Sequence, residues 1–167
     1  RIPFTTMYDQ NIVTPVFYNE MLIFSGVNKG TMAIKVIKKG NDWSTEQIWH
    51  NPKVSMYLSS PVLSGDLLFG FSPQRSGHFF CLDVRTGSTL WTSDDQQGEN
   101  AAILSAGEVL FFLTNNAKLF VVKRSAKGFE PIIQYTVADS PTWAHPVILG
   151  NQILIKDTST LALWRID

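Results

Sequence analysis

A chain of 167 residues, 44% hydrophobic and 17% charged, is long enough to bury a sizeable core and too apolar to be disordered. Fourteen basic and fourteen acidic residues cancel without a basic run, which speaks against nucleic acid or an anionic membrane surface as the main partner. The single cysteine, Cys81, excludes an internal disulfide and any multi-cysteine metal centre, and no apolar run nears the ~20 residues of a helical membrane span.

From the N-terminus, residues 1–8 carry no charged-then-apolar leader and read as an outer strand of a preceding unit or as a closing strand. A repeat begins after them. Segments 14–24, 60–69, 102–111 and 145–155 share one template: a short opening strand, in three cases with Pro-Val, a two-residue turn, then a strongly apolar strand. The turns are Asn19-Glu20, Gly65-Asp66, Gly107-Glu108 and Gly150-Asn151, spaced by 46, 42 and 43 residues (65 − 19, 107 − 65, 150 − 107). Gly-Asp and Gly-Asn are favoured two-residue hairpin loops, because glycine supplies the positive φ that twisted strands require.

Each unit continues through a polar loop to a third strand, predicted at 31–37, 78–84, 118–123 and 161–166. A shorter fourth strand ending in a large aromatic follows at 46–49, 89–91 and 132–135, and the last unit reaches Asp167 without one. No stretch sustains a 3.6-residue apolar period. Four short strands per unit at a period of roughly 40–45 residues predict an all-β fold, a β-propeller of four-stranded antiparallel blades. A β-sandwich also uses short strands, but it requires no such register. The units fall at about 9–50, 51–92, 93–136 and 137–167. Four blades lie at the low end of the propeller range of ~4–8, so the expectation is the C-terminal part of a larger, eight-blade ring. Its uncovered end faces would then associate.

The stretch Cys81-Leu82-Asp83-Val84-Arg85-Thr86-Gly87-Ser88-Thr89-Leu90-Trp91 resembles the tryptophan-docking motif of the PQQ-like, quinoprotein-type β-propellers. Cys81 stands at the small position, and Asp83, Thr86, Gly87 and Trp91 match. The resemblance implies that Asp83 and Thr86-Gly87 shape a turn while Trp91 packs between blades, both structural roles. The other units keep only an outline, with Lys35, Lys123 and Trp164 in the aspartate position and Trp49 or Tyr135 as the aromatic. A WD-repeat reading has Gly77-His78 but no strand-ending Trp-Asp.

The resemblance invites pyrroloquinoline quinone and calcium, which quinoprotein dehydrogenases hold above a vicinal cysteine pair. One cysteine cannot supply that pair, and no Glu, Asn and Asp set matches the calcium site residue by residue. Cys81 therefore reads as a small buried hydrophobe, with no catalytic, cofactor or metal residue assigned. His50, His78 and His145 lie far apart in the sequence and in no paired-ligand spacing. Trp143 and His145, entering the fourth unit's inner strand, are the candidates for a channel-mouth or rim contact. Lys35, Lys38 and Lys39 read as edge lysines that discourage strand pairing.

The resulting expectation is a non-catalytic PQQ-like propeller that serves as a protein-binding scaffold through rim loops 51–56, 93–100 and 137–143 and the loops between second and third strands. The resemblance to the outer-membrane assembly lipoproteins implies a periplasmic or secreted protein with a protein partner. The alternatives are a fragment of a quinone-dependent alcohol or sugar dehydrogenase and a propeller sensor on a signalling protein.

Overall fold

The computed structural model describes residues 2–166. Arg1, in the predicted leading strand, and Asp167, at the end of the fourth unit, lie outside the described residues. Among the described residues fifteen strands form four separate antiparallel sheets, each a blade. The first is built from β1 (Val16–Tyr18), β2 (Met21–Gly26), β3 (Gly30–Lys39) and β4 (Asp42–Asn51). The second holds β5 (Val62–Ser64), β6 (Leu67–Ser72), β7 (His78–Asp83) and β8 (Thr89–Thr92). β9 (Ala101–Ala106), β10 (Val109–Thr114), β11 (Lys118–Lys123) and β12 (Pro131–Thr136) make the third, and β13 (Val147–Leu149), β14 (Gln152–Lys156) and β15 (Leu161–Arg165) the fourth. Strands pair in sequence order within every blade.

The four predicted turns are the inner hairpins. Asn19, Gly65, Gly107 and Gly150 take φ of 51°, 60°, 63° and 62°. Two-residue loops join Tyr18 to Met21, Ser64 to Leu67, Ala106 to Val109 and Leu149 to Gln152. Register is thereby set, and with it the face that each side chain presents.

Successive side chains of a middle strand point to opposite faces, and in an inner blade both faces are covered. In β6 and β7, Leu68, Phe80 and Leu82 turn toward blade 1, whereas Phe69, Phe71, Phe79 and Cys81 turn toward blade 3. This is why these strands read as near-continuous apolar runs and not as alternating ones. The junction of blades 2 and 3 is the densest. Phe79 lies 4.6 Å from Phe112, 5.3 Å from Phe71 and 5.4 Å from Phe129, ring centre to ring centre. A smaller cluster of Phe111, Leu113, Leu119, Ile153 and Ile155 joins blades 3 and 4.

Two expectations are corrected. Residues 2–12 form no strand. They make an irregular arm with one 3-10 turn (Met7–Asp9), and Phe4 stands edge-on to Phe24 of blade 1 at 5.0 Å. Tyr8 at φ 58° breaks the extended path that a strand needs. The first outer hairpin is also longer than predicted, with ten-residue strands closing at Lys39 and Asp42. The insertion before Trp49 is simply the tip of that hairpin, and its polar residues hid it from an apolar pattern. There Lys38 Nζ sits 5.2 Å from the Trp43 ring centre, and Lys35 pairs with Glu20 at 2.5 Å.

Among the described residues blade 4 has three strands, and the arc does not close on itself: Val147, Leu149, Leu161 and Leu163 on its far face are exposed.

Candidate functional site

β7 and β8 are joined by a tight turn tied from within. The Asp83 amide donates to Ser88 O at 2.9 Å, and the Gly87 amide donates to Asp83 O at 2.8 Å. The Asp83 carboxylate accepts the Arg85 amide at 2.9 Å and the Arg85 guanidinium at 2.8 and 3.2 Å. That guanidinium holds the Asp83 carboxyl below the usual carboxylate range. Thr86 Oγ1 accepts the Ser88 amide at 3.3 Å. Gly87 adopts φ 72°, a left-handed conformation.

Cys81 lies under this turn, fully buried, and burial, with the nearby Asp83 carboxylate adding to it, pushes its thiol up to about 12. A thiol so far from its thiolate is a poor nucleophile. In the folded protein Cys81 should therefore resist a disulfide-exchange reagent and label only as fast as the chain opens. Labelling at the rate of a free thiol would contradict the buried geometry.

Aromatics from one blade meet the turn of the next. Trp49 Nε1 donates to Val84 O at 2.9 Å, and a Cβ placed on Gly87 would stand 2.4 Å from Trp49 Cε3. Asn51 Nδ2 adds hydrogen bonds to Gly87 O at 2.7 Å and Thr89 Oγ1 at 2.9 Å. Trp91 repeats the arrangement one blade on, its Nε1 donating to Ser125 O at 2.9 Å beside Phe69 and Phe129. The partner of Thr86-Gly87 is thus the tryptophan of the preceding unit, Trp49, and not Trp91 of its own. Sequence reasoning ranked Trp49 as a worn copy. The available signal was its place at the end of a fourth strand, which Trp91 shares.

The loops between second and third strands share a rim with the segments that follow the outer strands, and the two sets are bonded together blade by blade. In blade 1, Gly30 N donates to Ser55 Oγ at 2.8 Å and Thr31 Oγ1 to Val54 O at 2.9 Å. In blade 2, Gln97 N donates to Gly77 O and Gly98 N to Ser76 O, both at 3.0 Å. In blade 3, Thr142 donates from its amide to Asn115 O at 3.0 Å and from Oγ1 to Thr114 O at 2.7 Å. Trp143, half-exposed, follows that anchor, and exposed His145 has Nδ1 3.2 Å from Pro146 O. None of the hydrogen bonds described for the Cys81–Trp91 turn involves Trp143 or His145.

His78 is the one histidine that is buried, a feature the sequence did not mark. Its Nδ1 lies 3.2 Å from Gln74 O and 3.9 Å from Asp95 Oδ1, and Nε2 lies 3.5 Å from Arg75 Nη2. Burial lowers its pKa; Arg75 lowers it further, against the opposing pull of Gln74 O and Asp95. The unfolded chain, near the ordinary 6.5, binds the proton first, so this contribution to stability is full above that pH and is lost as pH falls through the depressed folded value. The urea midpoint should drop more between pH 7.5 and 5 in the parent than in His78→Gln. Equal drops would remove His78 from the account.

Among the described residues no three His, Cys, Asp or Glu side chains converge. Among the described residues no helix is long and apolar enough to cross a membrane.

The fold and its inter-blade turns define the class: an open arc of a PQQ-like β-propeller. Residues 5–93, just over half the chain, match the family model of the outer membrane protein assembly factor BamB, and the chain belongs to that family. By structure it is similar to BamB from Moraxella catarrhalis, at 19% identity and a TM-score of 0.64, over 94% of this chain and 46% of that one. It is similar also to the computationally designed Ika4 protein, at 10% identity and a TM-score of 0.69, over 98% and 96% of the two chains. The WD40 β-propeller domain of Doa1 follows at 13% identity and 0.66, over 94% and 52%. At these identities the likeness is one of fold. The chain spans about half the length of the BamB structure. No curated protein matches it by sequence.

Proposed function

We propose that this chain is a non-catalytic, protein-binding scaffold of the periplasm, working within the assembly of outer-membrane proteins. The observation that carries this reading is the anchored rim: loop 93–100 is bonded to loop 74–77 through backbone groups, and segments 51–56 and 137–143 are held likewise. Rigid blades that present pre-ordered loops lose little conformational entropy on docking, which favours recognition of another folded protein. Membership in a family described as an assembly factor supports a protein as the ligand.

A photoreactive residue at Gln97 or Trp143 should cross-link to a component of the outer-membrane assembly machinery in a Gram-negative cell, whereas one at Asn41, at the opposite end of blade 1, should not. Equal cross-linking from both ends would refute a rim site. So would quinone-dependent dye reduction after reconstitution with pyrroloquinoline quinone and calcium, the outcome that favours the dehydrogenase alternative.

A further inference from the structure

We propose that His78 is the pin of a pH-sensitive latch in the rim. Uptake of a proton by its ring expels Arg75 and releases loop 74–77 from loop 93–98, so that the blade 2 part of the rim is ordered near neutral pH and open in mild acid.

The two loops are held in conformations that L-residues adopt at a cost. Arg75, Ser76 and Gln96 take φ of 55°, 63° and 64°, three left-handed non-glycine residues in one loop pair. Backbone bonds fix them against one another. The Gln96 amide donates to Arg75 O at 3.4 Å, and the Gln97 and Gly98 amides donate to Gly77 O and Ser76 O at 3.0 Å each. The approach is so close that a Cβ on Gly77 would collide with Gly98 O. Loop 93–98 is also held from blade 3, where Asn115 Oδ1 accepts the Glu99 and Asn100 amides at 2.9 and 3.2 Å. Loop 74–77 is tied instead through Arg75, whose Nε lies 3.3 Å from Asp95 Oδ1.

His78, 1% exposed, joins this pair of loops at the start of β7. Its Nδ1 lies 3.2 Å from Gln74 O, and a carbonyl only accepts, so Nδ1 carries the proton of the neutral ring. Nε2 is then a lone pair, and it accepts from Arg75 Nη2 at 3.5 Å. A proton taken from water onto Nε2 replaces that lone pair with an N–H aimed at a guanidinium, which has donors and no acceptor. The bond becomes a repulsion between two cations in a site that water barely screens. Asp95 Oδ1, 3.9 Å from Nδ1, can keep the imidazolium while Arg75, whose side chain is 58% exposed, swings into solvent. Arg75 and Asp95 are the charged groups that act on His78. Asp94, beside Asp95, and Lys53, the one charge in segment 51–60 of blade 1, are exposed. Burial favours the neutral ring, which keeps the latch shut near neutral pH.

Once Arg75 is expelled, the left-handed turn at Arg75 and Ser76 loses the contacts that offset its strain. The seam of backbone bonds between the loops then opens, while the β7–β8 pairing below it stays. Both loops belong to the proposed docking rim, so a partner seated there would leave as the pH falls. That consequence rests on the rim reading, whereas the latch itself is tested on this chain alone.

Amide exchange followed by NMR gives protection factors corrected for the intrinsic effect of pH, and the ring nitrogen-15 shifts give the protonation of His78. Between pH 7.5 and 5 the Gln97 and Gly98 amides should lose about tenfold or more in protection, in step with His78, while the amides of β10 keep theirs. Arg75→Gln leaves no cation to expel and should abolish most of that loss. His78→Gln should show the same protection at both pH values. Protection at Gln97 and Gly98 that holds while His78 takes up its proton would overturn the latch, as would a His78 still neutral at pH 5. An equal loss in Arg75→Gln or in His78→Gln would overturn it too. A loss shared by β10 would mean that the whole fold gives way, and would overturn the local opening.

Discussion

Trp91→Ala should lower the unfolding free energy by about 3–5 kcal/mol, the range for truncating a large buried aromatic. Trp91 is only 7% exposed, packs beside Phe69 and Phe129, and donates to Ser125 O in the next blade. Trp91→Phe keeps much of the ring and loses that donor, and should cost less, with about 1 kcal/mol from the hydrogen bond itself. Urea unfolding followed by far-ultraviolet circular dichroism checks both. A Trp91→Ala protein within 1 kcal/mol of the parent would show that the junction of blades 2 and 3 does not depend on this side chain.

Gly87→Ala should cost about 2–5 kcal/mol, from two sources. An L-residue at φ 72° is left-handed, at roughly 1–2 kcal/mol, and the new methyl stands 2.4 Å from Trp49 Cε3, where overpacking costs about 1–3 kcal/mol. The second source can be isolated. In a Trp49→Ala background the clash is gone, so Gly87→Ala should retain only the backbone part, and the two substitutions should be strongly non-additive. Additive costs would place the Trp49 ring elsewhere.

The two tests concern the same physical device in adjacent junctions, and they bear unequally on what the sequence displays. Cys81–Trp91 stands out because all its matching residues fall within eleven positions. The contact that Gly87 makes does not, since Trp49 belongs to the previous unit. The hydrogen bonds that tie Trp49, Asn51 and Trp91 to the next blade span 35, 36 and 34 residues. A motif read along one unit says that its tryptophan packs between blades without saying which turn it meets, and the fold pairs it with the turn of the next. The rim was legible as loops. That His78 lies buried between Arg75 and Asp95 was not, because nothing local distinguishes it from His50 or His145.

By itself, the sequence determined the all-β class, the number of sheets, the four inner turns and the start of nearly every strand. These follow from local physics: glycine or asparagine where φ must be positive, and short apolar runs between turns. Only the tertiary structure decided which face of each strand meets which neighbour, that the arm of residues 2–12 lies against Phe24 of blade 1, and that Val147, Leu149, Leu161 and Leu163 on blade 4 stay exposed. A strand such as Leu67–Ser72 is apolar on both sides, so its pattern says that both are buried without saying against what. That answer comes from packing between side chains more than thirty residues apart, which leaves no periodic trace in the chain.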